Sequence, residues 1–148
     1  MAKGWERVWR GVAWRVEVRS VGRDGGSTLR LGPAKASAAS GSSPEWLRFD
    51  CFDARPHWHL DPGGRDLVSP LDERGDPIAE TFALLDAELA SLLEQAGAPT
   101  ELTRAIALAG GDPSRRALLR EAESVLRHRP ARLDDLDLRR LEQRRSEK

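Results

Sequence analysis

A chain of 148 residues in which 24 Lys+Arg balance 24 Asp+Glu is long enough to bury one hydrophobic core, and it presents no global field to draw in nucleic acid or an anionic membrane. Its single cysteine excludes an internal disulfide. No basic start is followed by an apolar run, so the sequence predicts neither a secretion signal nor a membrane span, and the cytoplasm is the default location.

In chain order, residues 11–21 alternate. Val12, Trp14, Val16 and Val18 share one face while Ala13, Arg15, Glu17 and Arg19 share the other, as in a half-buried strand. Turn chemistry at Gly22-Arg23-Asp24-Gly25-Gly26 leads into a short partner strand over 28–31. Residues 32–44 are small and polar, too poor in apolar side chains to offset the entropy of ordering them, and predict a mobile surface loop.

Residues 45–62 gather two of the three histidines, the cysteine and two of the five tryptophans. Two aromatic-rich runs flank Asp53-Ala54-Arg55-Pro56, which predicts a second hairpin. Closing it with four residues sets Phe52 opposite His57, Cys51 opposite Trp58, Asp50 opposite His59 and Phe49 opposite Leu60. Leu47, Phe49, Cys51, Trp58 and Leu60 then form an apolar face, and Arg48, Asp50, Phe52, His57 and His59 a polar one. A slip of one residue would turn both histidines into the apolar face.

Beyond the hairpin the period changes from two to 3.6. Asp76-Pro77 is a helix start and Gly97 a helix stop, and between them Ile78, Phe82, Leu85, Leu89, Leu92 and Leu93 make one apolar stripe. Thr100 opens a shorter helix reaching about Ala109. Asp112-Pro113 opens another, with Leu118, Leu119, Ala122, Val125 and Leu126 on one face before Pro130. A last helix is predicted from about Arg132, with Asp134, Asp135 and Asp137 near its start and Arg139, Arg140, Arg144 and Arg145 toward its end. The expected fold is α+β. It has about four antiparallel strands in two hairpins packed on an amphipathic helix over residues 1–97, followed by a helical extension over 98–148.

The run Leu47-Arg48-Phe49-Asp50-Cys51-Phe52, the run Pro56-His57-Trp58-His59 and the helix ending at Ala96-Gly97 together resemble an uncharacterised family of small prokaryotic proteins. That family pairs an R-F-D-C-F strand with a P-H-aromatic-H strand. The resemblance spans roughly Val12 to Gly97 and implies an α+β fold; it implies no activity.

Function therefore rests on the residues. His57 and His59, two apart on a strand, project from one face with Asp50 across from them, a donor set suited to divalent iron, manganese or zinc. No second H-x-H, no H-E-x-x-H and no C-x-x-C adds ligands, and Cys51 points the other way. A cysteine between two phenylalanines reads as a small buried hydrophobe and not as a nucleophile. The glycine runs lack the spacing of a phosphate loop. From Pro113 to Lys148, eleven Lys+Arg face seven Asp+Glu, and Trp5, Arg7, Trp9, Arg10 and Arg15 interleave rings with cations, but no nucleic-acid motif accompanies them.

The sequence thus predicts a small non-catalytic binding module, with no resident cofactor required, that contacts a protein or ligand through Arg48, Asp50, Phe52, Asp53, Arg55, His57 and His59. Leu133, Leu136, Leu138 and Leu141 are expected to serve a protein partner or self-association. A metal-dependent enzyme using His57, His59 and Asp50 is the first alternative. Nucleic-acid binding by the arginine-rich C-terminal helices is the second.

Overall fold

The computed structural model describes residues 4–34 and 45–128. The expected last helix, its leucines and arginines, and most of the expected 32–44 loop lie outside the described residues. The class is α+β as expected, with two more strands than the sequence suggested. Six strands form one antiparallel meander in chain order: β1 (Trp5–Trp9), β2 (Val12–Val21), β3 (Asp24–Pro33), β4 (Leu47–Phe52), β5 (His57–Leu60) and β6 (Leu67–Pro70). Three helices follow, α1 (Pro77–Gln95), α2 (Thr100–Leu108) and α3 (Pro113–His128). No described helix is long and apolar enough to cross a membrane.

β1 escapes sequence reading because Glu6, Arg7 and Val8 are exposed and only its two tryptophans are partly covered. Arg10 and Gly11 both take positive φ, 49° and 83°, in a two-residue turn that pairs Trp9 with Val12. The strand is then tied to α3 from its side chains. Trp5 Nε1 donates to Glu121 at 2.6 Å, Trp9 Nε1 to Ser114 Oγ at 2.8 Å, and Arg10 to Asp112 at 2.8 Å. Arg7 pairs with Glu121 and Arg15 with Glu6. The interleaved rings and cations near the N-terminus are thus engaged within the fold.

One face of the sheet is the core. Val12, Trp14, Val16, Leu29, Leu31, Leu47, Phe49, Cys51 and Leu60 meet Phe82, Leu85, Leu89, Leu92 and Leu93 of α1, with Ile106 of α2 and Leu118, Leu119, Ala122 and Leu126 of α3. The first two helices begin and end close to where the sequence places them. Asp76 caps α1 by accepting from Ala79 N at 3.0 Å, and Gly97 follows it at φ 96°. Such a helix has little stability alone and is held by burying its stripe on the sheet.

The second hairpin pairs Leu47 with Leu60, Arg48 with His59, Phe49 with Trp58 and Asp50 with His57. This corrects the expected register by two residues, so the Asp50–His59, Cys51–Trp58, Phe52–His57 and Phe49–Leu60 pairs do not form. The cause is Asp24 at the start of β3, whose carboxylate accepts from the amides of Ala54 and Arg55 at 2.9 Å each. Asp53 N also donates to Gly25 O. The connection is thereby pulled toward the β2–β3 turn instead of closing on its own strands. Cys51 and Phe52 pair only with β3, across from Ser27 and Gly26, and a Cβ on Gly26 would lie 2.7 Å from Cys51 O. An even shift preserves the faces. Arg48, Asp50, Phe52, His57 and His59 remain together on the side that no described helix covers.

Candidate functional site

Asp50 is the centre of the polar face. Only 1% of it is exposed, and its two carboxylate oxygens take different partners. Oδ1 accepts from Thr28 Oγ1 at 2.8 Å and from Arg19 at 3.0 Å. Oδ2 lies 3.2 Å from His57 Nε2, 3.2 Å from His59 Nε2 and 3.3 Å from Arg48 Nε. Burial pushes the Asp50 carboxyl up, but the Thr28 hydrogen bond and the charges of Arg48, Arg19 and His57 outweigh it and hold it below its usual 3.8.

The ring tautomers follow from what each far nitrogen touches. His57 Nδ1 lies 2.8 Å from Arg55 O, a carbonyl that can only accept, so the proton is on Nδ1. His59 Nδ1 lies 2.7 Å from Asp66 Oδ1, again an acceptor. Arg48 Nη2, which can only donate, lies 3.1 Å from His59 Nε2 and independently makes that nitrogen an acceptor. His59 thus turns an Nε2 lone pair toward Asp50 Oδ2, whereas His57 faces an acceptor at each of its two nitrogens. A proton or a metal ion must therefore stand between His57 Nε2 and Asp50 Oδ2. A backbone carbonyl or carboxylate behind Nδ1 is the usual support of a metal-bound histidine, fixing its tautomer and orientation. Among the described residues Asp50, His57 and His59 offer one ligand atom each, all within 4.8 Å of one another.

Access is from the His57 side, whose side chain is 28% exposed against 11% for His59. A cavity of about 440 Å³ opens beside it, lined by Val21, Arg23, Asp24, Phe52, Ala54, Arg55 and His57. Phe52 sets its edge against the His57 ring at 5.7 Å, and Arg19 lies over Phe52 at 6.0 Å. Of the residues expected at the site, Arg48, Asp50, Phe52, His57 and His59 come together, and Arg55 contributes its carbonyl. Asp53 lies in the exposed connection, outside the converging donors.

Sequence reading missed Thr28, Arg19, Asp66 and Glu45. The first two stand on the polar positions of β3 and β2, where alternation could have shown them once the strand order was known. Asp66 had no such signal. It precedes β6 at φ 47° and is set by the loop from Asp61, whose O accepts from Asp66 N at 2.7 Å.

Cys51 is on the other face and takes no part. Its thiol lies 3.6 Å from Thr81 Oγ1, and burial pushes it up to about 11. Thiol reagents at pH 8 are expected to modify it only at the rate of unfolding; rapid stoichiometric labelling of the native protein by a chromogenic disulfide would contradict this placement.

All the site residues fall inside one segment that matches a family model. A family model described as a domain of unknown function, DUF7700, matches residues 11–110. The chain belongs to that family. The DUF7700 match begins at the β1–β2 turn and ends just after α2, so it holds Glu45, Asp50, His57, His59 and Asp66 and leaves out β1 and α3. It agrees with the sequence resemblance in pointing to a family with no assigned function. No curated protein and no solved structure matches the chain.

Proposed function

We propose that this domain is a binding module whose ligand is one divalent transition-metal ion, held by Asp50 Oδ2, His57 Nε2 and His59 Nε2. The observation that supports it is the pair of imidazoles buttressed at Nδ1, whose Nε2 atoms converge on one buried carboxylate oxygen. The two distances to the carboxylate suit the reading: ligand atoms about 2.1 Å from a tetrahedral ion stand roughly 3.4 Å apart, and each ring nitrogen is 3.2 Å from Oδ2, with all three atoms within 4.8 Å, a spread that the two imidazoles close on binding. Two imidazoles and one carboxylate favour iron, manganese or zinc over calcium or magnesium, which prefer all-oxygen shells.

Three protein ligands leave room for water or a small molecule, and the cavity beside His57 supports a metal-dependent enzyme as the second reading. The cavity carries no further acid or base poised on such a molecule, because the Asp24 carboxylate is spent on backbone amides. Binding without catalysis is therefore preferred. Contact with a protein partner, or with nucleic acid, through the C-terminal residues is a separate proposal for which the described residues supply no support.

Elemental analysis of protein purified without chelator, followed by titration calorimetry with zinc, tests the reading. About one ion per chain is expected for the wild type and none for the His57→Ala/His59→Ala double variant. No uptake by the wild type, or equal uptake by the double variant, would overturn it.

A further inference from the structure

Arg48 stands in the way of that ion. Its Nε is 3.3 Å from Asp50 Oδ2 and its Nη2 is 3.1 Å from His59 Nε2. The guanidinium therefore uses two of the three lone pairs that a metal would use, and two cations cannot share them. A few ångströms away is a second acceptor that so far holds Arg48 only as a loose ion pair. Glu45 gives Oε2 to Arg30, while its Oε1 is buried and accepts no hydrogen bond. That oxygen is 3.6 Å from Arg48 Nη1, just beyond bonding range. A buried carboxylate oxygen left without a donor is costly and uncommon in a folded protein.

Resting on the metal reading above, we infer that Arg48 is a built-in competitor for the ion. When a metal enters, the guanidinium leaves Asp50 and His59 and closes onto Glu45 Oε1, so the Arg48–Glu45 pair sets the affinity of the site. In the metal-free protein Arg48 shares with Arg19 the neutralising of Asp50, which is only 1% exposed. In the metal-bound protein the same charge satisfies Glu45. The movement is a change of side-chain torsions within one residue, because Glu45 and Arg48 flank the start of the same strand, β4.

The two ends of the swing give opposite results. Arg48→Met removes the competitor while keeping an apolar stem, and zinc affinity is expected to rise about tenfold, the equivalent of one charge-assisted hydrogen bond no longer broken on binding. Glu45→Gln removes the charge that receives the guanidinium, and zinc affinity is expected to fall by about threefold to tenfold on the same scale, with all three ligands untouched. A purely structural role for either residue would lower affinity in both variants.

The test is zinc calorimetry on wild type, Arg48→Met and Glu45→Gln at one pH, with a circular-dichroism melt of each to establish that it is folded. Should Arg48→Met not fold, Arg48→Lys replaces it, since one ammonium cannot span both lone pairs and a smaller gain is expected. Folded Arg48 variants that bind zinc no tighter than wild type, or a Glu45→Gln that binds equally well, would overturn the inference and leave the metal reading standing. Absence of binding by both wild type and the Arg48 variant would overturn the metal reading and the inference with it. Binding by the Arg48 variant alone would establish the competitor and refute metal binding by the native chain.

Discussion

Asp50→Asn is expected to abolish zinc binding and to cost the fold about 2–3 kcal/mol at pH 7, because it removes the anion between Arg19 and Arg48 while leaving both cations in place. The amide can still accept from Thr28, so the loss comes from charge and not from shape. The variant also carries a pH signature. The folded carboxyl lies below its usual 3.8, so its stabilisation is fully present above about pH 4 and is lost as pH falls through the folded value. Chemical denaturation from pH 7 to pH 2 should show the wild type losing stability over the acid end of that range. The variant should have a shallower slope there, and the two curves should converge at the lowest pH. Parallel curves would mean that Asp50 is not the linked group.

Leu85→Asp is expected to unfold the protein or to cost about 4 kcal/mol or more. Leu85 is fully buried where α1 lies on the sheet, and a carboxylate there would be cut off from water among apolar side chains. Loss of the cooperative thermal transition is the readout. A variant melting within a few degrees of wild type would show that α1 does not cover the sheet as described.

α1 was the most legible element because its signals are local: a capping aspartate before a proline, a 3.6-residue apolar period, and a glycine after the last turn. The polar face was legible too, since alternation along β4 and β5 sorts Asp50, His57 and His59 from Phe49 and Trp58 whatever the pairing, provided that the shift is even. The pairing itself was not, because Asp24, some thirty residues away, holds the Ala54 and Arg55 amides. β1 was hidden for a related reason. Its tryptophans are anchored by Glu121 and Ser114, more than one hundred residues later, and no periodicity inside a five-residue strand records that. At the site, Asp66 and Glu45 come from loops flanking the motif. Their roles depend on where an imidazole Nδ1 and a guanidinium end up in space, which the spacing of histidines along a strand does not encode.

X-ray absorption spectroscopy of the zinc-loaded protein addresses the ligand set directly. The expected first shell is nitrogen and oxygen at about 2.0–2.1 Å, with outer scattering from two imidazole rings that falls to one in His57→Ala. A sulfur ligand at about 2.3 Å, or an oxygen shell with no imidazole scattering, would contradict a centre built from Asp50, His57 and His59.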